Sequence, residues 1–187
     1  MSTTALVLID IQHDYFAGGR MPLWEPEAAA DTAGRVLARF RRAGMPVVHV
    51  RHESRAPGAT FFLPGTDGLG FHPAVAPTPD EVVITKHYPN AFRGTPLATW
   101  LQSRGVAQLV IVGMMTHMCI DTTVRAAADL AFTNWVVSDA TATRALAHAG
   151  REIPGLDVAG AFLAALDGTF GRVVAADDPR LPGASGG

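Results

Sequence analysis

Three side chains that can carry out chemistry follow three predicted strands: Asp10, Lys86 and Cys119. A carboxylate can take up and return a proton, an ammonium group stabilises nearby anions, and a thiolate is a nucleophile. Functional groups of open parallel sheets gather beyond the carboxyl ends of the strands, so these residues can share one site. Each also has an ordinary structural explanation, as a turn-forming aspartate, a solvated lysine or a small buried cysteine.

Cys119 is the only cysteine of the chain and lies near the predicted start of a helix. Apolar residues recur at helical spacing over residues 118–130. Thr116 is the predicted N-cap, which places Cys119 in the first turn. Because free N–H groups and the helix dipole favour an anion there, we expect a thiol with a lowered pKa that can act as a nucleophile.

Strand and helix patterns alternate along the chain. Apolar, β-branched runs predict strands at 5–9, 46–50, 81–85, 109–112, 134–137 and 170–175. Helical spacing predicts helices at 27–42, 95–103, 118–130 and 158–166. Successive parallel strands need helical crossovers, so the pattern predicts a three-layer α/β fold. We expect a doubly wound, six-stranded, mostly parallel, Rossmann-like sheet with helices on both faces.

Two loops could border a site at this sheet. The loop after the first strand contains Gly18 and Gly19 but no GxGxxG pattern, which argues against a dinucleotide. The connection 51–79 is rich in Gly and Pro and much longer than about 12 residues. We expect it to cover the pocket or to meet another subunit.

Composition limits the possible partners. With 187 residues, 48% hydrophobic residues and a formal charge of −2, we expect one domain over 1–187, with a flexible tail from about 180. The absence of a Lys/Arg cluster argues against nucleic acid, and no apolar run reaches the ~18 residues of a membrane span. A single cysteine forms no internal disulfide and no secretion signal is evident, so we expect a cytoplasmic protein.

Three segments resemble the isochorismatase-like cysteine hydrolases: LVLIDIQHDYFAGG, ITKHYPNAFRGTPL and IVGMMTHMCIDTTVRAAADLAF. The resemblance implies a triad of Asp10, Lys86 and Cys119. It also implies a cis peptide between Met114 and Met115, and an oxyanion hole formed by the backbone N–H groups of Met115 and Cys119. The implied reaction is hydrolysis of a small amide through an acyl-enzyme on Cys119, with Asp10 as general acid/base and Lys86 as electrostatic partner.

The same resemblance assigns further residues to the pocket. Gln12 would support Asp10 and belong to the substrate-binding residues, and the pocket would be lined by Tyr15, Met21, Phe92, Met114 and Met118. His117 and His87 adjoin the triad positions and could orient a small-molecule substrate, whereas the role of His52 stays open. Members of the family commonly form homo-oligomers, so a dimer or larger assembly is expected.

Several alternatives stay open. Nicotinamidases of this family bind a metal through an Asp and a nearby His after the second strand, but residues 51–54 here are Arg-His-Glu-Ser. We therefore expect no metal and no cofactor. Isochorismatases proper cleave a vinyl ether and commonly lack the cysteine, so its presence favours C–N hydrolysis. A non-catalytic binding domain on the same fold is the alternative from a different class.

Overall fold

The apolar runs of the sequence form a parallel sheet in the computed structural model, which describes residues 3–183. In chain order, the strands are β1 (Thr3–Ile9), β2 (Val47–His52), β3 (Val82–Lys86), β4 (Val106–Met114), β5 (Thr133–Ala142), β6 (Leu146–His148), β7 (Arg151–Ile153) and β8 (Arg172–Val174). The helices are α1 (Pro26–Arg42), α2 (Leu97–Gln102), α3 (Asp121–Asp129) and α4 (Gly155–Leu166).

Six strands build the main sheet in the order β3–β2–β1–β4–β5–β8, and every pairing in it is parallel. The order reverses at β1, which lies between β2 and β4. A crevice opens beyond the carboxyl ends of the strands at such a switch point. The predicted doubly wound, six-stranded α/β fold is therefore confirmed.

Alternate side chains of the central strands pack on opposite faces of the sheet. Leu6 and Leu8 of β1 belong to the core that α1 covers, whereas Val7 and Ile9 belong to the core under α2, α3 and the end of α4. The period of two places helices on both faces and buries the sheet between them. Over residues 3–183, no helix combines the length and the apolarity needed to cross a membrane.

Strand β4 continues beyond the glycine at which the sequence predicts its end. Gly113 pairs with Ile9 of β1 and has a φ of 128°. A Cβ atom at this position would lie 2.0 Å from the Ile9 carbonyl oxygen. Only glycine allows this close approach of the two backbones, so Gly113 serves strand pairing and not the predicted turn.

Strands β6 and β7 form a separate antiparallel hairpin that the sequence pattern does not predict. Ala149 (φ 49°) and Gly150 (φ 75°) form its turn. Two consecutive residues with positive φ are typical of a two-residue hairpin turn. The hairpin is largely exposed and shows no alternation of apolar residues, which explains why the pattern fails there.

Leu181, close to the last described residue, packs against the core. Leu181 is only 3% exposed and contributes to the core on the α1 side, and its N–H donates to the Asp178 carbonyl oxygen at 3.0 Å. Leu181 therefore packs on the core, although the tail is predicted to begin at about residue 180. Residues 184–187 of that predicted tail lie outside the described residues.

Candidate active site

The three candidate reactive side chains meet beyond the carboxyl ends of the strands, at the switch point of the sheet. Strand β1 ends at Ile9, directly before Asp10, and β3 ends on Lys86. The turn after β4 supplies Cys119. Lys86 Nζ lies 2.7 Å from Asp10 Oδ2 and 3.1 Å from Cys119 Sγ. Asp10 and Lys86 are 0% exposed and Cys119 is 5% exposed, so the ammonium group joins the carboxylate and the sulfur away from bulk water.

Asp10 is held in an uncommon backbone conformation. Its φ of 53° is left-handed, which Asp tolerates better than most residues at a cost of about 1 kcal/mol or more. Its N–H donates to the Val50 carbonyl oxygen at 2.9 Å, which ties the end of β1 to β2. Within residues 3–183, Asp10 Oδ1 is buried without a hydrogen-bond partner. This oxygen can accept a proton from a reacting group.

The electrostatics of the site favour an ammonium beside a protonated thiol. Burial alone would lower the pKa of Lys86, but Asp10 and Cys119 outweigh it and raise that pKa above its ordinary value. Burial, and then the charge of Asp10, raise the pKa of Cys119 against the opposing effect of Lys86. The lowered thiol pKa expected from the sequence is therefore wrong, because burial and the carboxylate outweigh the helix end.

The local structure around the cysteine also differs from the prediction. Residues Thr116–Ile120 form a single π-helical turn, and α3 begins only at Asp121. Thr116 makes no capping hydrogen bond, and its hydroxyl is buried without a partner within residues 3–183. The predicted N-cap role of Thr116 is therefore wrong. Such turns are frequent at functional sites.

The predicted oxyanion donors belong to Met115, directly before this turn, and to Cys119 within it. The peptide bond between Met114 and Met115 is cis. The Met115 carbonyl oxygen accepts hydrogen bonds from the N–H groups of Met118 (3.0 Å) and Ile120 (3.2 Å), which fixes the turn. The N–H groups of Met115 and Cys119 thus belong to one short, hydrogen-bonded segment.

Gln12 occupies a different place from the one expected. Its Oε1 accepts from the His52 N–H at 2.7 Å, and its Nε2 donates to the carbonyl oxygens of His52 (3.0 Å) and Leu69 (3.2 Å). Gln12 is 0% exposed and its amide is fully engaged with these backbone groups. This corrects the predicted support of Asp10 and contact with substrate: Gln12 fastens the end of β2.

The five expected wall residues divide by burial. Tyr15 and Met114 are buried in the core on the α1 side, and Met21 is partly buried against that core. Phe92 packs on the other core and stacks on Phe132, with ring centroids 6.0 Å apart, and Met118 is 39% exposed. Tyr15 lies within the electrostatic influence of the triad: burial, then the electrostatic effects of Cys119 and Asp10, raise the pKa of its hydroxyl well above the usual value.

The two histidines beside the triad positions have partners outside it. His117 Nδ1 shares a hydrogen bond with the Thr143 hydroxyl, and burial lowers the pKa of His117, with a further contribution from the charge of Arg144. His87 Nδ1 donates to the Glu53 carbonyl oxygen at 2.8 Å. Both rings thus bond to residues that directly follow a strand, Thr143 after β5 and Glu53 after β2.

Asp14 is a site-building residue that the sequence analysis missed. It is buried, and its carboxylate accepts from the Phe62 N–H at 2.5 Å and from the Arg20 N–H at 3.1 Å. It thereby joins the first loop to the long connection, whose Phe62 ring lies 4.7 Å from the Tyr15 ring. An acidic residue between His13 and Tyr15 gives no pattern that distinguishes this role from surface exposure.

Arg144 is a second residue that the sequence analysis left unassigned. Its guanidinium donates to the Ala145 carbonyl oxygen at 3.2 Å, and within residues 3–183 no carboxylate pairs with it. Its charge acts on two residues near the triad, since it adds to the burial that lowers the pKa of His117 and opposes the effect of burial on the pKa of Tyr15. Among the described residues, no cluster of three or more His, Cys, Asp or Glu side chains is suited to a metal ion.

Comparisons with known proteins identify relatives of this chain. The isochorismatase domain family matches residues 4–163. The isochorismatase family protein YddQ of Bacillus subtilis is 47% identical over 171 residues, covering 91% of this chain and 95% of YddQ. Maleamate amidohydrolase of Pseudomonas putida is 35% identical over 131 residues, covering 62% of this chain and 61% of that enzyme. A crystal structure of an isochorismatase hydrolase from Oleispira antarctica matches with a TM-score of 0.90 and 48% identity, covering 94% of this chain and 95% of that one.

Proposed function

Because this chain belongs to the isochorismatase family of hydrolases, whose members include amidohydrolases acting on C–N bonds, we propose that it cleaves a small amide through an acyl-enzyme on Cys119. The observation that carries the proposal is the contact of Lys86 Nζ with both Asp10 Oδ2 and Cys119 Sγ. A buried acid, ammonium and thiol together supply a proton acceptor, a fixed positive charge and a nucleophile.

The raised thiol pKa determines the order of proton transfers. Cys119 starts as a thiol, so Asp10 takes its proton as the sulfur attacks the amide carbonyl carbon. The C–N bond then breaks, and the leaving nitrogen receives that proton from Asp10. Water next attacks the thioester and gives its proton to Asp10, which returns it to the sulfur when the acid is released. Lys86 stabilises the sulfur and carboxylate anions throughout these steps.

The tetrahedral intermediates need hydrogen-bond donors for their oxyanion. We assign this role to the N–H groups of Met115 and Cys119, which belong to the same short, hydrogen-bonded segment as the sulfur. Loss of one such donor in a hydrolase costs about 3 to 4 kcal/mol in the barrier.

Arg144 supports a substrate that carries a carboxylate. Its guanidinium is exposed, has no anionic partner within residues 3–183, and acts electrostatically on Tyr15 and His117. An arginine in this position can bind a planar carboxylate through two hydrogen bonds. Maleamate, which the Pseudomonas putida relative hydrolyses, is an amide of this kind.

We also propose self-association. Trp24 is 45% exposed and Leu156 is 61% exposed. The two residues are neighbours on the surface, because Gly155, directly before Leu156, packs against Trp24: a Cβ atom added at Gly155 would lie 3.2 Å from the Trp24 Cβ. Large apolar side chains exposed together on one surface are typical of a subunit interface. Light scattering of the wild type should show a dimer or larger species, and Leu156→Ser should reduce it. A wild-type monomer would contradict this assembly.

The activity is tested with a panel of primary amides with and without a carboxylate group. We expect release of ammonia, and intact-protein mass spectrometry after rapid acid quench should show an acyl adduct on the wild type. Cys119→Ala should form no adduct and show no turnover. An inert wild type across a broad panel would favour a binding domain, and turnover of a vinyl ether by Cys119→Ala would favour isochorismatase chemistry.

A further inference from the structure

His52 lies against the ammonium group of Lys86. The two residues end neighbouring parallel strands and are paired in register, His52 on β2 with Lys86 on β3. His52 Nδ1 is 3.2 Å from Lys86 Nζ. This brings a fourth side chain into direct contact with the triad.

The His52 backbone is fixed on both sides. The buried Gln12 amide accepts from the His52 N–H and donates to the His52 carbonyl oxygen, at 2.7 and 3.0 Å. The Phe62 ring packs nearby, with its centroid 5.9 Å from that of the imidazole. The imidazole is thus held in place by contacts that do not involve the triad.

The hydrogen-bonding capacity of Lys86 determines which atom donates and which accepts in its contact with His52. An ammonium group has three N–H donors and no acceptor. Three atoms lie within reach of Nζ: Asp10 Oδ2 at 2.7 Å, Cys119 Sγ at 3.1 Å and His52 Nδ1 at 3.2 Å. Nδ1 must therefore accept, which requires a neutral imidazole with its proton on Nε2.

The charge state of His52 agrees with this requirement. Burial, followed by the charge of Lys86, lowers the pKa of His52 to about 4. The other charged or titratable groups that act on the ring are Asp10, His87 and Glu53, and their effects are smaller. His52 is therefore neutral at pH 7.

We propose that His52 is a positioning residue, whose Nδ1 accepts the third N–H of Lys86 and so directs the other two at Asp10 and Cys119. The activity part of this inference rests on the proposed amide hydrolysis, whereas the proton on Nε2 and the effect on the thiol do not. Without the acceptor at Nδ1, the ammonium can rotate away from the sulfur. Displacements of about 1 Å in an active site can cost about a hundredfold in rate.

Two variants separate hydrogen bonding from packing. Asn places its side-chain oxygen as many bonds from Cα as Nδ1, whereas Leu places a methyl group there. We expect His52→Leu to lower kcat by about ten- to a hundredfold with little change in KM, and His52→Asn to restore most of the loss. Equal activity of both variants, or wild-type kcat in His52→Leu, would overturn the proposal.

Two measurements require no turnover and keep the inference distinct from the proposed function. In His52→Leu, iodoacetamide labelling of Cys119 should shift to higher pH, because the ammonium stabilises the thiolate less. In the wild type, nitrogen NMR of the histidine rings should show His52 with its proton on Nε2 at pH 7, identified by the signal missing in His52→Asn. A proton on Nδ1 at pH 7, or an unshifted thiol titration, would disprove the positioning role even if amide hydrolysis is shown. If the thiol titration shifts and the proton lies on Nε2, but the protein hydrolyses no amide, the positioning role of His52 stands and the proposed amide hydrolysis is disproved.

Discussion

The carboxylates of Glu81 and Asp10 lie near opposite ends of strand β3 and have very different surroundings. Glu81, just before the strand, accepts hydrogen bonds from Arg41 at 2.8 and 2.7 Å, from His49 Nε2 at 2.9 Å and from the Thr78 N–H at 2.9 Å. Asp10, which meets the other end of the strand at Lys86, has one cation at 2.7 Å and a buried Oδ1 without a partner within residues 3–183.

The comparison separates a structural charge from a reactive one. Hydrogen bonds from Arg41, with those from Thr78 and His49, lower the pKa of Glu81 to about 2, so this carboxylate holds its charge and takes up no proton near neutral pH. A buried carboxylate that is incompletely paired is costly for stability, and it is retained where it serves chemistry. In the proposed mechanism, Asp10 is of this second kind.

Isosteric amides at the two positions give the largest expected contrast. Asp10→Asn keeps the size of the side chain and its tolerance of positive φ but removes the proton acceptor. We expect kcat to fall by about a thousandfold or more while circular dichroism stays unchanged. Glu81→Gln should leave kcat essentially unchanged. Substantial residual turnover in Asp10→Asn, or a similar loss in Glu81→Gln, would remove the distinction between the two carboxylates.

The reactive end of the molecule was largely predictable from the sequence. Uninterrupted apolar runs identify the central strands, which are buried on both faces, and also the partly exposed edge strand β3, and parallel topology brings their carboxyl ends together. This reasoning alone places Asp10 and Lys86 at one edge of the sheet and Cys119 in the turn after the next strand. The boundary of β4 was less predictable, because Gly113 is required by its contact with Ile9 and not by a turn.

The environment of each reactive group was not predictable from local patterns. A helix start favours a thiolate at Cys119, but the burial and the Asp10 charge that reverse this preference come from other parts of the chain. Gln12 likewise bonds to His52, 40 residues away. Long-range contacts of this kind leave no periodic signal in the sequence.

The structural carboxylate should show its effect in stability. Glu81→Gln exchanges a charged acceptor for a neutral one in a partly exposed network that also includes the buried His49 ring, so we expect a loss of about 1 to 2 kcal/mol in the free energy of unfolding at pH 7. Urea unfolding measures this difference. Asp178→Asn, which breaks an exposed pair with Arg180, is the matched control and should change stability little. A loss as small as that of the control would mean that the Glu81 network is only a surface feature.

The stability that Glu81 contributes should depend on pH, in a direction that follows from its lowered pKa. The folded-state pKa of Glu81, about 2, lies below its ordinary value of 4.5, so its stabilisation is present above pH 4.5 and is lost as the pH falls towards 2. The difference in stability between wild type and Glu81→Gln should therefore shrink over this range. A difference that stays constant down to pH 2 would show that charge is not its source.

Asp10→Asn should increase the rate at which Cys119 is labelled, although it lowers the activity. The Asp10 charge raises the pKa of Cys119 and the Lys86 charge lowers it, so Asp10→Asn leaves only the favourable cation. We expect iodoacetamide to label this inactive variant about tenfold faster than the wild type at pH 8. Labelling of Glu81→Gln should match the wild type. An unchanged or slower rate in Asp10→Asn would indicate that burial alone controls the thiol.

Two arginines extend the comparison to substrate recognition and give the smallest effect. The guanidinium of Arg41 is occupied by Glu81, whereas that of Arg144 has no carboxylate partner within residues 3–183. We expect Arg144→Ala to raise KM about tenfold for amides that carry a carboxylate, with little change for neutral amides, and Arg144→Lys to recover part of the loss. Steady-state kinetics on matched amide pairs measure this selectivity. A guanidinium that binds the substrate carboxylate must affect charged amides more than neutral ones. Equal effects on charged and neutral amides would therefore mean that Arg144 supports the structure of the loop and does not bind the substrate carboxylate.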